Sequence, residues 1–240
     1  MAEFIMAAQN GRNIPTEDKI FGISRRANEM IDEKGPDAVV NATIGALLDD
    51  DGDLMVLSSV DDTYMSLEPE EYASYAPIGG TPAYKKAAIK AALGKYEPKG
   101  YVEAVATPGG TGSIRNTIAN YSCPGDKILT SDWHWAPYKT IASEIGRSID
   151  TYQLFTEDGR YNIEAFSKKV NEILAEQDRL VIIINTPAHN PTGYALTNED
   201  WQQVVDCLSN VAPENRVALL IDAAYIDFAG DEDKYREFLP

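Results

Sequence analysis

Cysteine is nearly absent from this sequence: Cys123 and Cys207 are the two among 240 residues, in unrelated surroundings. So few thiols encode neither a disulfide framework nor a thiolate metal site, and a reducing cytoplasm suits such a chain. Histidine is equally sparse, with His134 and His189 the two present. Without a His-x-His pair or a carboxylate cluster to complete a coordination shell, no metal is expected. Long apolar runs are missing as well. The amino terminus, MAEFIMAAQNGRN, has no basic region followed by an apolar one, and no segment approaches the roughly 18 to 20 apolar residues that span a bilayer, so neither export nor anchoring is expected. Basic residues are in deficit, 21 against 38 acidic, for a formal charge of −17. That charge repels phosphate backbones and anionic lipid, which argues against nucleic acid or membrane as the main partner and favours solubility.

The hydrophobic content of 44% supports an ordinary buried core in one large domain or two small ones. With no internal repeat or low-complexity tract, the order of segments has to supply the architecture. After a polar arm, Ile20, Ile23, Ala27, Met30 and Ile31 recur at helical spacing, and Gly35-Pro36 ends that helix. The acidic run Asp49 to Asp53 reads as a solvated turn, since the further oxygen ligands of a Ca²⁺ loop do not follow at the required positions. Thr81-Pro82 opens an alanine-rich helix towards Leu93, with proline at the first helical position, where its missing N–H costs nothing.

From Gly100 onward short β-rich runs alternate with helical segments. Strands are expected at 101–107, 127–130, 149–155, 180–184 and 217–221. Helices are expected from about Gly112, up to about Gly146, through Phe166, Val170, Ile173 and Leu174, and from a Thr197 cap through Trp201, Val204, Val205 and Leu208. Continuous Val/Ile/Leu strands are covered on both faces, so the expected fold is α/β, a mainly parallel sheet between helical layers. Ligands of such folds sit at the carboxyl ends of the strands.

Four motifs stand there. The segment VATPGGTGSIRN turns a strand into a helix and aims successive N–H groups at one point, which makes an anion site; a Gly-rich turn without a ligand explains the same residues. The absence of a Walker lysine and of G-x-G-x-x-G spacing disfavours a nucleoside triphosphate or dinucleotide. SDWHWAPY puts Trp133 and Trp135 where a polar loop is expected, and both also suit a core or an interface; His134 has no relay partner beside it. NTPAHNPTG holds Asn190 in an irregular backbone, or simply makes a turn. VALLIDAAYIDF delivers Asp222 at the end of an apolar strand, where a carboxylate is costly unless it meets a cation or a donor, with Tyr225 three positions on.

Together, Y-A-P-I-G-G-T-P-A-Y at 75–84, G-G-T-G at 109–112, the tryptophan pair, H-N-P-T-G at 189–193 and D-A-A-Y at 222–225 resemble the class I/II aminotransferases, and most closely their aspartate and aromatic branch. The resemblance covers nearly the whole chain. It implies the type I fold of pyridoxal-phosphate (PLP) enzymes, truncated before the end of the large domain. Residues 1–75 would form an amino-terminal arm and part of the small domain, and 76–240 an incomplete PLP-binding large domain. By the same resemblance Gly110, Thr111 and Gly112 bind the 5′-phosphate, Trp135 rather than Trp133 stacks on the pyridine ring, and Asp222 pairs with the protonated ring nitrogen. Asn190 and Tyr225 donate to the 3′-oxygen. Tyr75 reaches the cofactor phosphate of the other subunit in a homodimer, and Gly45 contacts the substrate. Asn190-Pro191 resembles a position where the peptide is cis.

The implied activity is transamination between an L-amino acid of aspartate or aromatic type and a 2-oxo acid, in cytoplasmic amino acid metabolism. A C–S lyase on the same scaffold and a non-catalytic PLP-binding fragment are the alternatives. Two departures qualify this. Gly109 stands where relatives place a phosphate-binding serine. The Schiff-base lysine is expected roughly one βα unit (~30 residues) beyond Tyr225, past Pro240, so no catalytic residue is assigned within the chain and the chain alone is expected to be inert.

Overall fold

The computed structural model describes residues 19–211, 216–231 and 234–239. The polar arm before residue 19 lies outside them. The described residues fall into two compact units, divided between Ala76 and Pro77.

The described residues of the first unit include the helices α1 (Lys19–Lys34), α2 (Ser58–Met65) and α3 (Pro69–Ala73), with a short 3-10 turn at Pro36–Ala38. The α1 stripe read from the sequence is only partly covered, because Ile23 and Met30 remain exposed. The acidic run forms a turn. Asp49 Oδ1 accepts from the N–H groups of Asp51 (3.0 Å) and Asp53 (2.9 Å), and an antiparallel bridge pairs Leu48 with Leu54 around it. Beyond it many apolar side chains face solvent, among them Met55, Val56, Leu57, Val60, Tyr64 and Met65.

The second unit contains α4 (Pro82–Leu93), α5 (Gly109–Tyr121), β1 (Lys127–Ser131), α6 (Pro137–Glu144), β2 (Ser148–Tyr152), α7 (Ile163–Glu176), β3 (Leu180–Asn185), α8 (Asn198–Val211) and β4 (Val217–Asp222). The strands make one parallel sheet in the order β2-β1-β3-β4. Side chains alternate across a strand, so β3 serves two cores at once. Leu180, Ile182 and Ile184 pack with Phe166, Val170 and Ile173 of α7 and with Trp201 and Val204 of α8. Val181 and Ile183 pack with Ile114 and Ile118 of α5 and with Tyr138, Ile141 and Ala142 of α6. The result is the expected sheet between helical layers, with β3 buried along its whole length.

Local chemistry sets the helix starts. Thr81 Oγ1 accepts from Tyr84 N (3.2 Å) at α4, and Asn162 Oδ1 accepts from Ala165 N (3.0 Å) at α7. At α8, Thr197 and Asp200 exchange side-chain and backbone bonds in a reciprocal cap. The end of the chain is clasped to the core: Phe238 stacks on Trp201 with centroids 4.9 Å apart, and buried Arg236 donates to Ala92 O (3.1 Å) and pairs with Asp227.

The expected strand at 101–107 does not form. Val102, Ala104 and Ala106 are half-buried while Tyr101 and Val105 are exposed, so the period of two is kept. A strand needs a ladder partner as well as an alternating pattern. None is present among the described residues, where the stretch makes one backbone bond to a distant residue, Ala106 N–H to Gly79 O (3.0 Å), and one local bond, Gly109 N–H to Thr107 O (2.7 Å).

Candidate functional site

A cavity of about 230 Å³ opens at the carboxyl ends of the strands, lined by Gly110, Thr111, Ile114, Trp135, Asn185, Asn190, Asp222, Ala224 and Tyr225. A larger cleft of about 640 Å³ lies at the opposite end of the sheet, where Arg179 and Arg216 precede β3 and β4. Chemistry selects the smaller one. In parallel α/β sheets ligands sit at the carboxyl ends of the strands, and convergent polar groups mark a site better than volume does.

One wall of the cavity is the start of α5, which begins three residues earlier than its sequence suggests. Gly109, at φ 65, makes the turn, and the first intrahelical bond runs from Gly112 N–H to Pro108 O (3.2 Å). The amides of Gly110 and Thr111 therefore precede that bond and belong to the first turn, whose N–H groups have no intrahelical acceptor. No side chain caps this helix and its first turn carries no acidic residue, so donors and dipole face the cavity uncompensated. Gly112 is not brought to the lining. A Cβ there would press on the Pro108 ring at 2.8 Å, so this glycine permits the tight turn.

The opposite wall is built by the ends of β3 and β4. Asn185, the last residue of β3 and nearly fully buried, donates from Nδ2 to Asp222 O (2.7 Å) and accepts at Oδ1 from Asn190 N–H (2.6 Å). One side chain thus fixes the Asp222 backbone and the Asn190 loop together. Asn190 Nδ2 in turn donates to Tyr225 Oη (3.1 Å). The Asn190-Pro191 peptide is cis, as expected, and Thr186-Pro187 is cis as well.

His189 holds the loop from inside, with Nδ1 against Thr192 Oγ1 (2.8 Å) and its amide donating to Tyr194 O (2.8 Å). Burial lowers its pKa below the ordinary histidine value, which keeps the ring neutral. His134 is tied by Nδ1 to the Ser131 carbonyl (2.9 Å).

Trp135 forms a side of the cavity just ahead of α6, whereas Trp133 points away and is 54% exposed. Tyr138, which the sequence did not single out, is fully buried behind Trp135 and hydrogen-bonds the Asp222 carboxylate. Of the sequence-derived residues, then, Gly110, Thr111, Trp135, Asn190, Asp222 and Tyr225 meet in one cavity. Gly45 and Tyr75 belong to the other unit, where both are exposed. Asn185 is not among the residues singled out from the sequence, although it carries the same signal as Asp222, a polar residue ending an otherwise apolar strand.

The donor set has a definite chemical preference. An anion fits the amides of α5, a flat ring fits Trp135, and a protonated nitrogen fits Asp222. An oxygen acceptor on that ring fits the Asn190 and Tyr225 pair. A phosphorylated 3-hydroxypyridine carries all four features.

Comparison with known proteins points the same way. The family model described as aminotransferase class I and II matches residues 37–239. The chain is 30% identical over 222 residues to the mitochondrial aspartate aminotransferase of Schizosaccharomyces pombe, covering 90% of this chain and 48% of that protein. It is also 30% identical to the aromatic-amino-acid aminotransferase of Pseudomonas aeruginosa, over 77% of this chain and 46% of that one. The crystal structure of an aminotransferase from Anaerococcus prevotii superposes with a TM-score of 0.93 at 39% identity, covering 98% of this chain and 58% of that structure. The chain thus spans about half the length of the curated relatives it matches.

Proposed function

Because this chain belongs to the aminotransferase class I and II family, we propose that it carries the cofactor-binding part of a PLP-dependent aminotransferase that moves an amino group between an L-amino acid, of aspartate or aromatic type, and a 2-oxo acid. The observation that carries this reading is the single cavity in which the α5 amides, the Trp135 face and the Asp222 carboxylate converge.

When bound, pyridoxal phosphate supplies a protonated pyridine ring that accepts the electron pair left as a substrate loses its α-proton. The residues of the chain bind and tune it. Gly110 and Thr111 hold the phosphate by N–H donors backed by the dipole of α5. Trp135 covers one face of the ring and excludes water from it. Asp222 keeps a proton on the ring nitrogen, and Asn190 and Tyr225 donate to the 3′-oxygen. The two side-chain bonds of Asn185, one donated from Nδ2 to Asp222 O and one accepted at Oδ1 from Asn190 N–H, keep these groups in register. In the same reading the exposed Tyr75 reaches the other subunit's cofactor phosphate in a homodimer, and Gly45 contacts substrate; the many exposed apolar side chains between Leu47 and Tyr75 support such a partner surface. A cytoplasmic location is proposed on the two free cysteines.

Incubation of the full-length protein with PLP, L-aspartate or L-tyrosine, and 2-oxoglutarate tests this reading. Glutamate and the matching 2-oxo acid should appear in equal amounts. Release of a 2-oxo acid in large excess over the added cofactor, without an amino acceptor, would contradict transamination, and absence of turnover with every amino acid would remove the activity.

A further inference from the structure

The hydroxyl of Tyr138 donates to Asp222 Oδ2, joining α6 to the end of β4. The other carboxylate oxygen, Oδ1, accepts from Ala224 N–H (3.3 Å), so both oxygens are held from within the protein. Each oxygen still has a lone pair free for a donor in the cavity. The Tyr138 ring stands edge-on to Trp135, with centroids 5.5 Å apart and planes at 80°, and runs parallel to His134 at 6.3 Å. It is fully buried, with Ile114, Ile128, Ile141 and Ile183 in the same cluster. Tyr138 does not line the cavity, yet it touches both the aromatic wall and the carboxylate that do.

The phenol is a durable donor. Burial first, then the hydrogen bond to Asp222 and its negative charge, push its ionisation far above the ordinary tyrosine value. Its proton therefore stays on the oxygen throughout the neutral range and keeps Oδ2 fixed.

We propose that Tyr138 is a positioning residue that aims Asp222 at a ring nitrogen and sets the tilt of Trp135, so that a buried hydroxyl outside the cavity selects for a pyridinium ligand. The inference rests on the cofactor reading above and adds a residue, and a basis for selectivity, to it.

The test compares two probes that lack an aldehyde and so form no adduct with lysines: pyridoxine 5′-phosphate, and its 1-deaza analogue in which carbon replaces the ring nitrogen. Calorimetric titrations use the chain, Tyr138→Phe, Asp222→Asn and the double variant. Tyr138→Phe should bind pyridoxine phosphate about tenfold more weakly, the effect of losing a hydrogen bond to a charged group. It should bind the deaza analogue as the unaltered chain does, and the double variant should be no weaker than Asp222→Asn alone. The near-ultraviolet band of bound pyridoxine phosphate, which reports protonation of the ring nitrogen, should also change in Tyr138→Phe. Equal weakening of both probes, or of neither, would overturn the role of Tyr138 while leaving the cofactor site in place. Failure of the unaltered chain to bind either probe would remove the site itself and this inference with it. A measurement without substitution guards against a variant that fails to fold: the buried Tyr138 hydroxyl proton, seen by NMR, should shift with pyridoxine phosphate and stay put with the deaza analogue. A shift with neither probe overturns the proposal.

Discussion

Replacing Asn185 by alanine removes a side chain that holds two backbone groups at once, Asp222 O at 2.7 Å and Asn190 N–H at 2.6 Å. The two losses are unequal. Asp222 O keeps the Thr186 N–H at 3.1 Å as a second donor, whereas Asn190 N–H has Asn185 Oδ1 as its partner. A net of about 1 kcal/mol for each bond, together with the cost of an unsatisfied amide, gives a destabilisation of about 2–3 kcal/mol. For a unit of this size that lowers the melting temperature by roughly 5–10 °C. Differential scanning calorimetry of Asn185→Ala measures it. Asn171→Ala is the control, because it removes a comparable side-chain bond, Nδ2 to Ser167 O at 2.8 Å, from an exposed helix face. That variant should stay within about 0.5 kcal/mol of the unaltered chain. Equal melting of the two variants would refute the idea that Asn185 holds the strand end and the loop together.

Acid should weaken the fold through His189. Its folded pKa is lowered by burial, so below about pH 6.5 the unfolded chain binds more protons than the folded one and stability falls as pH drops. The decline seen in melts between pH 7 and 5 should be smaller in His189→Gln; an unchanged profile would clear His189 of the effect. Alkali should act through tyrosine. Burial raises the folded pKa of Tyr138, Tyr152 and Tyr161, and that of Tyr194 to about 12, so the stability these groups contribute is present below about pH 10 and is lost as pH rises beyond it. Chemical denaturation at pH 9 and 11 checks the direction, and equal stability at both would contradict it. The outer side of β4 has no strand beside it among the described residues, and an unpaired edge favours association. Light scattering should therefore show the 240-residue chain as a dimer or larger, and a stable monomer at high concentration would oppose this.

What was legible in the sequence followed the strength of the local signal. The run Leu180 to Ile184 could hardly be other than a buried strand, and it became the strand that serves both cores. Asp222 was conspicuous because five apolar residues lead straight to a carboxylate. Thr81 and Thr197 announced their helices by cap chemistry. Pairing was not legible: 101–107 has a strand's alternation, but nothing local says whether another strand lies beside it. Nor was Tyr138, since its importance comes from Asp222, 84 residues further along the chain. The helix start at Gly109 escaped because glycine is a poor helix former, whereas here it supplies the left-handed turn that opens α5.

In the function proposed above, one cavity of this chain receives pyridoxal phosphate, with the phosphate at α5 and the ring between Trp135 and Asp222. An NMR titration of the isotopically labelled chain with pyridoxal 5′-phosphate tests it most directly. Saturable shifts should concentrate at the amides of Gly110 and Thr111, the indole of Trp135 and the residues around Asp222 and Tyr225. Shifts confined to surface lysines, or centred on the cleft of Arg179 and Arg216 at the other end of the sheet, would contradict it.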